Sequence, residues 1–171
     1  MADTLTLNVK ATCDWSLIEA LDLANVVDAS SVTYSDSLTD GTTAGLADVI
    51  WHDTRALAAT TNDDLDLTAL TQSIYGSTVT KTFAKVRGLL IINLSTTAGD
   101  DLEIGGSGGN EWNVPFGATG DKIEVRANGT LLLAAPEDGY AVTNSSADIL
   151  RIRNPGANTI NYKIVIWGTS A

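Results

Sequence analysis

The sequence predicts an all-β protein, an antiparallel sandwich or barrel of about eight or more short strands. Composition is the first reason. Thr and Ser supply 34 of the 171 residues and Gly 15, whereas Lys and Glu, which usually fill exposed helix faces, supply five each. Patterning is the second: apolar residues recur at every second position in one segment after another. Punctuation is the third, because Gly, Asn, Asp and Pro end these segments at roughly ten-residue intervals.

Thr4 to Val9 opens the series, with Leu5, Leu7 and Val9 on one face. Trp15 to Ala24 is the one helix candidate: Ser16 and Glu19 have capping-box spacing, yet Leu17, Leu21 and Leu23 fit extended pieces as well. Ser31 to Ser35 reads as a short strand ended by Asp40-Gly41, and Asp48 to Leu57 as a strand that pairs around Trp51. In Asp64 to Leu67 the leucines face inward and the acids outward. Lys85 to Leu94 is almost continuously apolar, as a strand covered on both faces is. Leu102 and Ile104 precede the turn Gly105-Gly106-Ser107-Gly108-Gly109. Ile123 and Val125 lead to Asn128-Gly129, the strongest short hairpin signal in the chain, and then to Leu131 to Ala135. Ile149 to Arg153 closes at Asn154-Pro155-Gly156. The last strand, Ile160 to Trp167, sets Ile160, Tyr162, Ile164 and Ile166 on one face. Residues 1–45, rich in Thr, Ser and Asp, read as an extended N-terminal arm, and residues 46–171 as the denser sandwich.

Charge narrows the function classes. There are 21 acids against 10 bases, a net charge of −11. Such a surface repels phosphate backbones and anionic headgroups, so neither nucleic acid nor membrane is an expected partner. The excess is uneven: residues 1–80 hold 12 acids and two bases, residues 81–171 nine acids and eight bases. If copies meet, the near-neutral second half is the cheaper surface to press together. The start of the chain has no basic region followed by an apolar run, so no secretory signal is visible, and no apolar run approaches the ~20 residues of a membrane helix. Cys13 is the only cysteine and reads as a small, half-buried apolar residue.

No motif carries chemistry. The single histidine, His52, has Asp53 beside it in a strand, where neighbours point to opposite faces, and no Gly-x-Ser-x-Gly elbow is present. The acidic clusters 62–66 and 100–103 raise calcium, but the EF-hand spacing is absent and solvated strand faces explain them better. The glycine-rich loop before Trp112 is followed by Pro115 and lacks a Gly-Lys-Ser/Thr ending, so it is no phosphate loop. The sequons at Asn93, Asn128 and Asn144 follow from a Thr/Ser-rich composition. Of Trp15, Trp51, Trp112 and Trp167, most read as core or interface anchors, with Trp112 the one expected to be exposed and hence the candidate sugar platform. No catalytic, cofactor-binding or metal-ligating residue is assigned, and no cofactor is expected.

Several phrases resemble a family of small structural proteins from the virions of tailed bacteriophages. They are Ala47 to Ala59, Asp63 to Leu67, Phe83 to Arg87, Leu102 to Gly106, Ala134 to Tyr140 and Ala147 to Ile152. The similarity spans roughly residues 35–171, and residues 1–34 match only loosely. It implies a jelly-roll-like sandwich serving as a capsid decoration, or cement, subunit on the outer capsid surface, made in the host cytoplasm and not an enzyme. Its partners would be the major capsid protein and further copies of itself, as a homotrimer or alternatively a dimer. A tail or fibre protein and a carbohydrate- or receptor-binding module are the alternatives.

Overall fold

The computed structural model describes residues 4–20, 22–106 and 108–171. It is built of strands throughout: β1 (Thr6–Ala20), β2 (Asn25–Thr39), β3 (Val49–Leu57), β4 (Asn62–Asp66), β5 (Leu70–Ile74), β6 (Ser77–Lys81), β7 (Lys85–Asn93), β8 (Leu102–Gly105), β9 (Lys122–Val125), β10 (Thr130–Ala134), β11 (Tyr140–Ala141), β12 (Ile149–Arg153) and β13 (Ile160–Thr169). Among the described residues there is no helix.

Two sheets enclose the core. The first runs β10-β7-β13-β3, with β11 also paired to β7; the second runs β4-β12-β8-β9. Every ladder is antiparallel. The chain passes from one sheet to the other between β3 and β4, β4 and β7 (by way of β5 and β6), β7 and β8, β9 and β10, β11 and β12, and β12 and β13. Alternation explains the burial. Ile160, Tyr162, Ile164 and Ile166 point inward from β13, Leu89 and Ile91 from β7, and these meet Leu102, Ile104, Leu150 and Ile152 of the second sheet in one cluster. Burying this many large side chains, each contributing about 1.5–3 kcal/mol, holds the sheets face to face.

Three expectations need correction, and the one segment left open between helix and strand is decided. Trp15 to Ala24 is not helical: its first six residues continue β1, and Leu21 lies outside the described residues. The reason is the partner strand. Asn25 to Ser30 faces Ala20 to Trp15 residue for residue, and the ladder satisfies every second backbone group that a lone turn of helix would leave open. The strand expected at Ser31 to Ser35 is accordingly the middle of a 15-residue strand. Asn128-Gly129 makes its turn, with Asn128 at φ 58° and the Gly129 amide donating to the Arg126 carbonyl at 2.8 Å, but not a hairpin. The flanking strands part company, because Val125 is buried from the second sheet while Leu131 and Leu133 pack on the same core from the first. Trp112 is buried, 1 % exposed, with its indole N–H donating to the Ala141 carbonyl at 2.9 Å and Phe116 and Tyr140 edge-on to its ring. Strands β5 and β6 form a further hairpin that alternation did not reveal, since Thr, Gln and Ser occupy most of its positions.

A half-buried polar network closes one side of the core. The Arg55 guanidinium donates from Nε to Asp53 at 2.9 Å and to both Asp63 oxygens at 2.7 and 2.8 Å, and it stands 5.4 Å from the Trp51 ring centroid. The Tyr162 hydroxyl donates to Asp63 at 2.5 Å. Burial first, and the Asp63 hydrogen bond second, push the Tyr162 phenol well above its ordinary value near 10. The folded state therefore holds its proton more tightly than the unfolded chain does. Stability from this source is complete below pH 10 and declines as pH rises above it. In alkaline denaturation series, Tyr162→Phe is expected to cost about 1 kcal/mol at neutral pH. It should also flatten the limb above pH 10 relative to the parent, whose slope carries about 1.4 kcal/mol per pH unit from this one proton.

Candidate assembly interface

Strands β1 and β2 pair only with each other among the described strands, from Thr6 opposite Thr39 to Ala20 opposite Asn25, and make a long hairpin with 15 residues in each strand. Residues opposite one another share a face. One face carries Leu7 and Leu38, Val9 and Asp36, Ala11 and Tyr34, Cys13 and Val32, Trp15 and Ser30, Leu17 and Asp28, Glu19 and Val26. The other carries Thr6 and Thr39, Asn8 and Ser37, Lys10 and Ser35, Thr12 and Thr33, Asp14 and Ser31, Ser16 and Ala29, and only at its far end Ile18 and Val27. The hairpin is thus amphipathic along most of its length, and near the tip both faces carry apolar residues, one of them together with the acids Glu19 and Asp28.

Its root is fixed on the outer face of the first sheet. Leu5, Leu7, Val9 and Leu38 pack there with Ala47 and Trp167, over Ile50, Leu90, Leu132 and Val165. Glycine 88 makes this possible: a Cβ there would lie 2.0 Å from the Trp167 ring, so the indole can lie across β7 only because that position has no side chain. Arg87, 2 % exposed, clamps the root from behind. It donates to the carbonyls of Glu137 at 2.6 Å, Thr43 at 2.9 Å and Thr42 at 3.5 Å, and also to that of Pro136, tying the segment after the hairpin to the loop after β10. The Gly45 amide donates to the Pro136 carbonyl at 3.0 Å across the same junction.

Beyond the root the hairpin is bare. Of the twelve exposed large hydrophobic residues among the described ones, eight belong to it: Trp15, Leu17, Ile18, Leu23, Val26, Val27, Val32 and Tyr34. Cys13, expected half-buried, is exposed on the apolar face. Trp15 rather than Trp112 is the exposed tryptophan, at 42 %. The sequence signal for this was Leu-x-Leu-x-Val-x-Ala-x-Cys-x-Trp-x-Leu from Leu5, an alternation that runs straight through the helix candidate.

The opposite outer face, on the second sheet, has the reverse character. Arg151 makes a two-pronged pair with Asp64 at 2.7 and 2.8 Å. Glu103 takes Lys122 at 2.5 Å and Arg153 at 3.2 Å, and these contacts, the first above all, hold its carboxyl below the usual range. Asp101 takes Arg126 at 2.7 Å. The acids of both clusters raised as calcium ligands are thereby bonded to cations or to neighbouring donors. Asp66 accepts from the Thr68 amide and hydroxyl, and Asp100 accepts from Ser95 at 2.7 Å and Asn158 at 2.9 Å, which lower its pKa. Among the described residues no group of three or more His, Cys, Asp or Glu side chains is placed to hold a metal. His52 points outward beside Val165 and is exposed, while Asp53 turns to Arg55. In the glycine-rich loop, Ser107 lies outside the described residues. Glu111 braces the flanks by accepting from the Gly106 amide at 2.9 Å and the Gly120 amide at 2.8 Å. No family model matches this chain, and no curated protein is significantly similar to it.

Two outcomes are expected. Arg87→Leu removes the donor shared by the Thr42, Thr43 and Glu137 carbonyls and should lower stability by about 1–3 kcal/mol in chemical denaturation, with new proteolytic cleavage in residues 40–46. Trp15→Phe should abolish most of the acrylamide-quenchable tryptophan fluorescence, because Trp51, Trp112 and Trp167 are no more than 3 % exposed.

Proposed function

We propose that this chain is a structural subunit of a virus particle, a decoration protein that attaches to the outside of an assembled phage capsid and stabilises it. The observation that carries the reading is the pairing of a rigid, densely packed sandwich with a long hairpin whose apolar face stands in solvent. A domain that acted alone would have no reason to keep such a face dry of partners, since exposed apolar patches of this kind mark sites of association. We read the strand winding as a jelly roll: eight strands, β3, β4, β7, β8, β9, β10, β12 and β13, cross between sheets in the orders β3-β13-β7-β10 and β4-β12-β8-β9. The resemblance of residues 35–171 to phage virion proteins points the same way. Net charge of −11 keeps the free subunit dispersed and away from packaged DNA.

The function is tested by counting this chain against the major shell protein in purified particles. Copies on the order of hundreds per particle, as shell symmetry requires, support a decoration role. Tens or fewer move the protein to the tail, and absence from particles overturns the reading. Replacing residues 12–33 by an Asn-Gly turn, which keeps the root residues Leu5, Leu7, Val9 and Leu38 on the sheet, should abolish occupancy while leaving the sandwich folded, as judged by its near-ultraviolet spectrum.

A further inference from the structure

The hairpin has a matching receptor on the chain itself. Between its root and the outer face of the first sheet lies an open groove of about 290 Å³, walled by Leu7, Val9, Leu90, Leu132, Val165 and Trp167. Lys10 stands in its wall, and Lys163 is exposed two residues from Val165 on the same face of β13. Neither lysine makes an ion pair among the described residues. The distal hairpin is the complement of this groove in both respects. From Asp14 to Asp28 it carries Trp15, Leu17, Leu23 and Val26 exposed, together with Asp14, Glu19, Asp22 and Asp28 and no base.

We propose that the distal hairpin of one copy seats in this groove of a second copy, so that the chain self-assembles head to tail. This inference rests on the homo-oligomer part of the reading above and needs no capsid. Three observations select a second copy as occupant. The first is continuity: the root of each hairpin already packs Leu7, Val9 and Leu38 against Leu90, Leu132 and Val165, and a neighbouring hairpin laid alongside extends the same contact over the half-buried remainder of that face. The second is charge, because an acidic tip meets two unpaired lysines there, whereas two hairpins stacked apolar face to apolar face would crowd Asp28, Asp36 and Glu19 together. The third is reach. From Lys10 to Ala20 the free hairpin extends about 35 Å at ~3.3 Å per residue, more than twice the ~14 Å radius of gyration of a body this size. A straight hairpin rooted beside its own groove cannot fold back into it, so a hairpin tip that enters it comes from another copy. A head-to-tail contact of two different surfaces closes into a ring where the rotation between copies allows it, and any closed ring, a threefold one included, satisfies every hairpin and every groove.

The test uses the full chain in solution. Sedimentation velocity should give a mass that is a multiple of 17.9 kDa and falls to 17.9 kDa on dilution. Leu17→Glu with Leu23→Glu, both on exposed hairpin positions, should give monomer at all concentrations, and Leu132→Glu should do the same from the groove side. Mixing the two variants is decisive. Each then supplies one intact surface, so a dimer of one copy of each should form, and Cys13 should lose reactivity toward a thiol reagent only in the copy that keeps the native tip. A wild-type monomer at ~100 µM, about a hundredfold above a Kd of 1 µM, overturns the proposal. So does an oligomer that survives the hairpin variant, or a mixture that fails to dimerise. Binding of the hairpin to phospholipid vesicles in place of self-association also overturns it. None of these outcomes changes the copy number on particles, so failure here and failure of the capsid reading are told apart.

Discussion

Everything distinctive about this molecule follows from the need to cover the outer face of one sheet. Strand β13 is apolar on both sides: Ile160, Tyr162, Ile164 and Ile166 fill the core, while Val165 and Trp167 point the other way. A strand with two apolar faces cannot leave one in water without cost, and the root of the hairpin supplies the cover. Trp167 over Gly88 sets where that cover sits, because a single added methyl at position 88 would occupy the space of the indole ring. Arg87, next in sequence, fixes the same place from the inside by drawing backbone carbonyls from two separate loops onto one guanidinium. Position 88 admits the ring and position 87 anchors the chain that lies on it.

The two faces of the sandwich divide the work. The outer face of the second sheet is lined by Asp64, Arg151, Arg153, Glu103 and Lys122 in pairs along and across the strands. Such exposed pairs contribute little stability each, between 0 and about 1 kcal/mol, but they leave a surface satisfied with water and without an open apolar patch. The first sheet's outer face is the opposite, and it is the only one that the hairpin touches. Association is thereby directed to one side of the body. The charge count of the second half, nine acids against eight bases, reflects this mutual pairing rather than a scarcity of charge.

Much of the sandwich was legible in the sequence because its strands alternate cleanly. Ile160 to Trp167 and Leu102 to Ile104 announce their faces by apolar spacing, and the continuous apolar run in Lys85 to Leu94 announces a strand covered on both sides. The hairpin was harder to read for a physical reason. Its alternation is there, but Trp15 to Ala24 also holds a Ser and a Glu at capping distance, and local spacing cannot register a partner strand whose polar residues, Ser30, Ser31 and Asp28, show no pattern of their own. Asn128-Gly129 misled in the other direction: a turn signal reports the bend of four residues, whereas which sheet each flanking strand joins is decided by where Val125 and Leu131 find their core. Trp112 sits between a glycine-rich loop and a proline, a context that reads as surface, and only its contacts with Phe116 and Tyr140 reveal it as core.

The hairpin's stability raises a last point about how such an arm persists. A two-stranded ribbon in water is marginal on its own, because each strand has one unpaired edge and little buried area. Here the root is stapled by Leu5, Leu7, Val9 and Leu38, so the first rungs of the ladder form with the body and the remaining rungs propagate from an existing register. Cross-strand pairs such as Thr12 with Thr33, whose hydroxyls lie 3.2 Å apart, and Ala11 with Tyr34 then each add a few tenths of a kcal/mol. Acids at positions 14, 19, 22 and 28 discourage edge-to-edge pairing between free arms, as charged residues on exposed edges do. The same charges therefore guard the arm before it docks and choose the surface on which it does so. An uncharged ribbon of equal apolarity would aggregate, and a root without Trp167 would have no register from which to grow.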